Sequence, residues 1–391
     1  MRFSVKELGI YIHIPFCERK CLYCDFLSGC GSDIEKEQYV KALVKDIERT
    51  SENVGAHVVK TIYMGGGTPS VISPTYTERI MHAVYNNYNV DKDCEITIEV
   101  NPKTVDYFKL KRYISIGFNR LSIGLQSTNN EELEVLGRIH TFEDFLQTYD
   151  EAMRAGFDNI SVDVMSAIPG QSISSYESTL KKIIMLRPKH ISSYSLIIEE
   201  GTPYFDMYGK ENGERLLKLP DEDTERNMYY LTNELLKKAG YERYEISNYS
   251  KPGFESKHNK SYWQRKEYLG FGASAASYIE NERYTSICNV EEYIKYINSA
   301  KDGEKYISPK SESFVLSKTN KMEESIYLGL RLTKGIKLED FEKEFGCNIL
   351  SIYGEIINKY VDLGYMEMSW GVLKLTPAGI DVSNSIFADF L

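Results

Sequence analysis

Three cysteines near the amino terminus are the side chains best suited to chemistry. Cys17, Cys21 and Cys24 are separated by three and then two residues. Three thiolates at this spacing can hold three irons of a [4Fe–4S] cluster, leaving the fourth iron open to a small chelating molecule. The same thiolates could instead hold a structural zinc ion if Cys30 or His13 supplied a fourth ligand. Both interpretations stay open on this motif alone.

A glycine-rich turn follows the second strand-like run. Gly65, Gly66 and Gly67 precede Thr68 and Pro69. Glycine tolerates positive φ and lets a backbone approach a ligand closely, so this turn could cradle a ligand. An ordinary tight turn between a strand and a helix would suit the same residues. No Gly-Lys-Ser/Thr follows, so the pattern is not that of a phosphate-binding loop.

Four more polar side chains lie at or near the ends of later strand-like runs. Glu99 and Asp163 are carboxylates that can bind ligand amines or ribose hydroxyls, and Gln126 can both donate and accept hydrogen bonds. Arg138 suits a carboxylate, which a guanidinium binds through paired hydrogen bonds. Taken singly, each is as readily a rim or structural residue. Because they belong to successive strands, we expect them to form one site.

The first half of the chain alternates strand-like runs with helix-like runs. The strand-like runs cover residues 8–14, 58–64, 95–100, 120–125, 159–165 and 190–196. The helix-like runs cover residues 34–50, 74–88, 104–116, 141–155 and 174–186. Six such units predict parallel strands with right-handed crossovers, fewer than the eight that close a complete barrel. We therefore predict an α/β fold with an open, partial (β/α)6, TIM-like barrel, whose mouth gathers the motifs.

Composition narrows the class of protein. The chain has 391 residues, 42% of them hydrophobic and 27% charged, which is typical of globular proteins. A net charge of −10 argues against nucleic acid as a partner. No stretch approaches the length of a membrane-spanning helix, and the amino terminus does not resemble a signal peptide. Seven cysteines in such a chain indicate a reducing compartment, so we expect a cytoplasmic protein.

The chain beyond residue 200 divides into two parts. Residues 201–277 show an irregular pattern, and residues 299–319 have the polar character of a linker. From residue 322 onward, three helices and a hairpin turning at Trp370-Gly371 predict a winged-helix-like module. We therefore predict a core barrel over 1–200, a connecting region over 201–300 and a C-terminal α+β, winged-helix-like domain over 301–391.

Several motifs together resemble the radical S-adenosylmethionine (SAM) proteins related to oxygen-independent coproporphyrinogen III oxidase. They are YIHIPFCERKCLYCDF, GGGTPS, ENP, GFNRLSIGLQS, GRIH and the PGQ loop. The resemblance implies a [4Fe–4S] cluster on Cys17, Cys21 and Cys24, SAM that is cleaved reductively, and an electron donor such as flavodoxin or ferredoxin. It implies a SAM site lined by Tyr11, Tyr23, Gly66, Gly67, Thr68, Glu99, Gln126, Arg138 and Asp163.

Two branches of this family compete. The oxidase branch carries another cysteine two positions after the third cluster ligand, where this chain has Phe26. The segments YEISNY and HNKSYW are similar to those of the HemW-type haem chaperones, in which the second is associated with haem binding. The resemblance thus implies a chaperone that binds haem, or another tetrapyrrole, through His258, Tyr262 and Trp263. It would hand haem to an acceptor protein, one associated with a membrane.

Other functions stay open from the sequence. The first is oxidative decarboxylation of coproporphyrinogen III to protoporphyrinogen IX, against which Phe26 counts. The second is a radical SAM methyltransferase, and the third is a zinc-stabilised binding module. For His258, Tyr262 and Trp263 the alternative role is structural, as a loop histidine with aromatic residues buried under a lid.

Overall fold

Six strands of the first half of the chain form the parallel centre of one larger sheet. The computed structural model describes residues 6–210, 213, 215, 217–300 and 306–391. The strands are β1 (Lys6–Ile14), β2 (His57–Gly66), β3 (Val90–Val100), β4 (Arg120–Gln126), β5 (Asn159–Ser166) and β6 (His190–Ser195). Each pairs in parallel with the next, so their carboxyl ends lie at one edge. The predicted α/β class and all six predicted strands are confirmed.

Helices connect these strands. They are α1 (Asp33–Ser51), α2 (Pro74–Asn87), α3 (Tyr107–Ile116), α4 (Asn130–Val135), α5 (Phe142–Ala155) and α6 (Ile173–Leu186). Ser32 and Thr141 form capping boxes before α1 and α5, which satisfy backbone N–H groups that a helix start leaves unpaired. Gly117 and Gly156 end α3 and α5 in the left-handed conformation that glycine adopts without strain. The five predicted helices are confirmed, and α4 was not predicted.

Alternation along the strands separates an apolar outer face from a polar interior. In β1, Ile10, Ile12 and Ile14 join the main hydrophobic core together with residues of α1 and α2. Tyr11 and His13 lie between them and make a hydrogen bond to each other. Successive strand residues point to opposite faces. The interior of the barrel is therefore lined by side chains that can bind a polar ligand.

The sheet continues well beyond the six predicted strands. The next elements are α7 (Glu222–Lys238), β7 (Glu242–Arg243), β8 (Asn248–Ser250), α8 (Lys257–Trp263), β9 (Glu267–Phe271), β10 (Ala276–Ile279), β11 (Glu282–Ser286), α9 (Val290–Ser299) and β12 (Lys310–Val315). The strand order is β12-β11-β10-β9-β1-β2-β3-β4-β5-β6-β8-β7, with β9 parallel to β1. The barrel strands therefore number seven when β9 is included.

Two sequence predictions for this middle region were wrong. The pattern over 201–277 was expected to be irregular, but it contains α7, whose N-cap Asp221 accepts a hydrogen bond from the backbone of Thr224. Residues 299–319 were expected to be a linker, but β12 pairs with β11. Part of that segment, 301–305, lies outside the described residues. The predicted domain boundaries stay predictions, and the main sheet runs across both of them.

The helix α8 lies at the amino ends of the strands, opposite the mouth. The backbone N–H groups of Lys257 and His258 donate to the carboxylate of Glu95 in β3, each at 3.1 Å. Glu95 pairs in register with Thr61 of β2, and Thr61 bonds to the His258 ring. A carboxylate at a helix start is favourable because unpaired N–H groups and the helix dipole both attract it. This arrangement fixes α8 beneath the barrel interior.

A second unit follows β12 and has its own hydrophobic core. Its elements are α10 (Lys318–Gly329), β13 (Ile336–Lys337), α11 (Leu338–Phe345), α12 (Ile349–Asp362), β14 (Met366–Ser369), β15 (Val372–Leu375), α13 (Pro377–Asp381) and α14 (Ser383–Ala388). The predicted three helices and hairpin are confirmed, with β13 as an added strand. Trp370 and Gly371 turn the hairpin with φ of 53° and 72°. None of the helices within the described ranges is long and apolar enough to cross a membrane.

Candidate metal and cofactor site

The cysteine loop leaves the carboxyl end of β1 and is held by backbone hydrogen bonds. The Cys17 N–H donates to Gly29 O at 2.9 Å, and the Cys24 N–H donates to Cys21 O at 3.3 Å. Leu22 donates to Leu136 O at 3.2 Å, which ties the loop to the chain beyond β4. The three thiols are free and only partly buried. The loop thus presents three unbridged cysteines at the mouth of the barrel.

Both candidates for a fourth zinc ligand, His13 and Cys30, already make hydrogen bonds to other groups. The His13 Nε2–H donates to Leu27 O at 2.9 Å, and His13 Nδ1 bonds to the Tyr11 hydroxyl at 3.0 Å. Cys30 is exposed and donates its thiol to Glu18 O. In the part of the chain that the structure describes, no three His, Cys, Asp or Glu side chains converge on one metal-ion position. A cluster with separate iron corners fits these cysteines better than a four-ligand zinc site.

Neighbouring donors face two of the cysteine sulfurs. The Arg138 Nη1–H donates to Cys21 Sγ at 3.5 Å, and the Thr68 hydroxyl donates to Cys17 Sγ at 3.4 Å. Burial raises the pKa of the Cys17 and Cys24 thiols, and the hydrogen bond from Thr68 opposes this for Cys17. A bound metal centre removes such thiol protons outright. These donors therefore suit thiolates that carry iron.

The glycine turn needs glycine because it passes close to the cysteine loop. A Cβ added to Gly67 would lie 2.8 Å from Phe16 O and 3.0 Å from Cys17 Sγ. A Cβ added to Gly66 would lie 2.6 Å from the His13 ring, and Gly66 has φ of 112°. A side chain at Gly67 would press on the backbone that carries Cys17, and one at Gly66 would displace the His13 ring. The turn therefore shapes the cluster site directly.

Two half-buried carboxyl groups lie on the interior strands β3 and β5. Glu99 accepts a 2.6 Å hydrogen bond from the Tyr63 hydroxyl, and burial raises its pKa to about 7. Asp163 accepts from Ser122 at 3.2 Å and from Ser161 at 3.4 Å. Burial also raises the pKa of Asp163. Both groups can accept hydrogen bonds from the hydroxyls or amine of a polar ligand.

Gln126 at the end of β4 and Arg138 shortly after α4 complete the set. Gln126 is buried with φ of 75°, and its amide oxygen accepts from the Tyr194 hydroxyl at 2.9 Å. Arg138 Nη2 donates to Asn101 Oδ1 at 2.7 Å and to Gly124 O at 2.5 Å. These bonds orient the Arg138 guanidinium so that its Nη1 lies against Cys21 Sγ. Arg138 thus positions the cysteine loop against β4.

A cavity of about 430 Å³ brings several of these side chains together. It is lined by Tyr23, Cys24, Glu99 and Asp163, all predicted for the site, and by Tyr63. Cys21, Thr68 and Arg138 face a separate recess of about 20 Å³. Tyr11 reaches the site indirectly, through its bond to His13. The larger cavity has the size of a small-molecule site.

The three α8 residues predicted to contact haem lie in different surroundings. His258 is 1% exposed. Its Nδ1 lies 2.8 Å from the Thr61 hydroxyl, and its Nε2 lies 2.8 Å from the Tyr262 hydroxyl. Burial lowers its pKa to about 3. Trp263 instead stacks under Arg331 and lines a groove of about 610 Å³ against the C-terminal unit. Iron ligation by His258 would require one of its two hydrogen bonds to break.

Several residues that line the 430 Å³ cavity were not predicted from the sequence, and three of them carry amide or guanidinium side chains. They are Arg120 of β4, Asn248 of β8 and Asn259 of α8. Arg120 belongs to the GFNRLSIGLQS motif, and its even spacing from Ser122 signals a shared interior face. Nothing in the sequence signals that Asn248 and Asn259 line the same cavity as Arg120, because this depends on the curvature of the sheet.

Comparison with known proteins places this fold and cysteine loop in a class. The family described as the radical SAM superfamily matches residues 11–183, and that described as the HemN C-terminal domain matches residues 316–382. The solved coproporphyrinogen III oxidase (HemN) from Escherichia coli, a radical SAM enzyme, superposes with a TM-score of 0.83. It is 20% identical, with 100% of this chain and 91% of that chain covered. The architecture is that of the radical SAM proteins.

Full-length relatives identify the family more narrowly. The "Heme chaperone HemW" of Lactococcus lactis is 35% identical over 386 residues, covering 99% of this chain and 98% of the relative. That of Bacillus subtilis is 33% identical over 382 residues, covering 97% of this chain and 98% of the relative. The chain belongs to the HemW family of radical SAM proteins.

Proposed function

We propose that this protein is a haem chaperone that carries a [4Fe–4S] cluster and SAM, binds haem and delivers it to an acceptor. The observation that carries the proposal is the full-length similarity to haem chaperones of the HemW family. The arrangement of the cysteine loop, the glycine turn and the interior carboxylates supports the cofactor part. We further propose a cytoplasmic location, an acceptor at a membrane surface and an electron donor such as flavodoxin or ferredoxin.

The cofactor site would use this chain's residues in distinct roles. Cys17, Cys21 and Cys24 would hold the cluster, which when bound supplies one electron to the sulfonium of SAM. Thr68 and Arg138 donate to the cysteine sulfurs and hold the loop. The remaining contacts proposed for SAM are Tyr11, Tyr23, Gly66, Gly67, Glu99, Gln126 and Asp163.

A second candidate function is the oxidation of coproporphyrinogen III. The superposition with the Escherichia coli oxidase covers this whole chain, so the fold is compatible with that chemistry. Against it, the position of the extra cysteine in the oxidase branch is occupied by Phe26, which is exposed at the cavity rim. Haem binding therefore ranks first.

One experiment separates the two functions. Anaerobically reconstituted protein is divided into two samples, one titrated with haem and the other given coproporphyrinogen III, SAM and a reductant. We expect stoichiometric haem binding, followed by absorbance, and no protoporphyrinogen. Formation of protoporphyrinogen with matching methionine release would make the protein an oxidase and overturn the proposal.

We expect His258→Ala to weaken haem binding about tenfold or more, because α8 loses both hydrogen bonds that its histidine makes to Thr61 and Tyr262. Since the ring is buried and doubly bonded, we expect it to position α8, so the Soret band of the remaining complex should not shift. Tyr262→Phe removes one of the two bonds and should have a smaller effect. A shifted Soret band in His258→Ala alone would instead make His258 an iron ligand.

We expect SAM to bind more tightly as the pH rises from 6 to 8. The pKa of Glu99 is raised to about 7, so its carboxyl is mainly protonated below that pH and ionised above it. An ionised carboxylate accepts stronger hydrogen bonds from an amine or hydroxyl than a protonated one does. Titration calorimetry under anaerobic conditions would measure this slope, and Glu99→Gln should flatten it. An equal slope in Glu99→Gln would assign the titration to another group.

A further inference from the structure

Arg120 is a buried cation whose hydrogen-bonding capacity is not fully used. It begins β4, is 2% exposed and lines the 430 Å³ cavity. Its Nε–H has no acceptor among the residues that the structure describes. A buried guanidinium without full pairing is costly, and a partner that enters the cavity would offset this cost.

Two histidine rings and two carboxyl groups lie close enough to Arg120 to interact with it electrostatically. His190 bonds through its two ring nitrogens to Ser161 and Tyr244, each at 2.8 Å, and burial lowers its pKa. The pKa of His258 is likewise lowered, so both rings are neutral. Burial raises the pKa of Glu99 and Asp163 even though Arg120 acts in the opposite direction. Burial therefore disfavours the ionised form of the two carboxyl groups that could neutralise Arg120 from within the cavity.

The cavity has a polar inner end and an apolar rim. Beside Arg120 it is lined by Asn248 and by Asn259 of α8. At the rim, Phe26 is 61% exposed and Ile197 is 66% exposed. Large apolar side chains exposed beside a cavity are typical of binding sites. A ligand with an apolar body and an acidic arm would satisfy both ends.

We propose that Arg120 binds the carboxylate of such an amphipathic ligand while its apolar part rests on Phe26 and Ile197. This inference rests on the proposed function, under which the ligand is haem and the carboxylate is one of its propionates. The macrocycle would lie at the rim, and only the propionate arm would reach inward. Haem would then sit on the cluster side of α8, with Asn259 as the α8 residue nearest to it.

SAM is the other source of a carboxylate in this cavity, and the test distinguishes the two. Reconstituted full-length protein is titrated with haem and, separately, with haem dimethyl ester, which keeps the macrocycle and lacks the free propionates. The same titrations are made on Arg120→Met, on Arg120→Lys, and on Arg154→Met. Arg154 is an exposed arginine of α5 that does not line the cavity. SAM binding is measured on every variant.

We expect Arg120→Met to weaken haem binding about ten- to a hundredfold, the range for a lost hydrogen bond to a charged group. The dimethyl ester should bind the wild type about as weakly as haem binds Arg120→Met, and Arg120→Lys should retain part of the affinity. Arg154→Met should match the wild type. The ester comparison on wild-type protein stands even if Arg120→Met fails to fold.

Three results would overturn the inference. Equal affinity of the wild type for haem and its ester would exclude a propionate contact while leaving the chaperone function standing. A larger loss of SAM binding than of haem binding in Arg120→Met would assign Arg120 to the SAM carboxylate. No haem binding by the wild type would overturn the proposed function and this inference together.

Discussion

Gly67→Ala should leave the protein folded but unable to assemble its cluster. The added Cβ would lie 2.8 Å from Phe16 O, 3.0 Å from Ile14 O and 3.0 Å from Cys17 Sγ. Two of these atoms belong to the backbone at the end of β1, which cannot rotate away as a long side chain can. The cysteine loop must therefore shift, at a cost of about 1–3 kcal/mol for overpacking. We expect iron and sulfide contents after anaerobic reconstitution to fall to a small fraction of the wild-type values.

Gly29→Ala is the matched control for this prediction. Gly29 lies in the same loop and accepts the hydrogen bond of the Cys17 N–H, but a Cβ added there meets no atom within 4 Å. It should incorporate iron as the wild type does. A normal iron content in Gly67→Ala would mean that the loop adapts and that the turn does not shape the cluster site.

Asp46→Ala should lower the free energy of unfolding by about 3 kcal/mol or more. Asp46 is buried in α1 and accepts 2.6 Å hydrogen bonds from the hydroxyls of Tyr293 and Tyr306, and one at 3.2 Å from Thr50. Removing the carboxyl leaves these donors buried without acceptors, and each such group costs about 1–3 kcal/mol. The bonds join α1 to α9 and to the chain before β12. Denaturant unfolding would measure the loss.

Two further variants serve as comparisons for the Asp46 prediction. Asp46→Asn keeps one acceptor oxygen in place and should lose less stability than Asp46→Ala. Asp150→Ala removes an exposed carboxylate from α5 and should change the free energy of unfolding by less than about 0.5 kcal/mol. If Asp46→Ala were no less stable than Asp150→Ala, the network would have no net stabilising effect.

Local sequence patterns predicted the six strands β1 to β6 of the barrel, but they did not predict α7 or the seventh strand, β9. The strand runs of β1 to β6 and the helix stops at Gly117 and Gly156 are signals within a few residues. The helix α7 was also signalled locally, by Asp221 and the acidic first turn, but its polar composition hid the apolar face that Met228 and Leu236 bury. The pairing of β9 with β1 has no local signal, since it joins residues more than 250 positions apart.

In the candidate site, too, some features follow from nearby residues and others depend on residues distant in sequence. The cysteine spacing and the glycine run predict a metal or ligand site at the end of β1, and the family resemblance was needed to favour a [4Fe–4S] cluster over zinc. The surroundings of His258 do not follow from its own segment, because Thr61 and Glu95, which hold it, belong to β2 and β3. Arg120 was visible in a motif, but its unsatisfied Nε–H can be recognised only when the residues around it are known.

The late arrival of β9 has a consequence for synthesis in the cell. β1 is made first and pairs on one side with β2, but its other partner leaves the ribosome roughly 250 residues later. Translation at about 5–20 residues per second leaves that edge of the nascent chain open for roughly ten to fifty seconds. Unpaired edges of hydrophobic strands attract other chains. We therefore expect nascent chains arrested before β9 to recruit a co-translational chaperone, and chains arrested after α9 to release it.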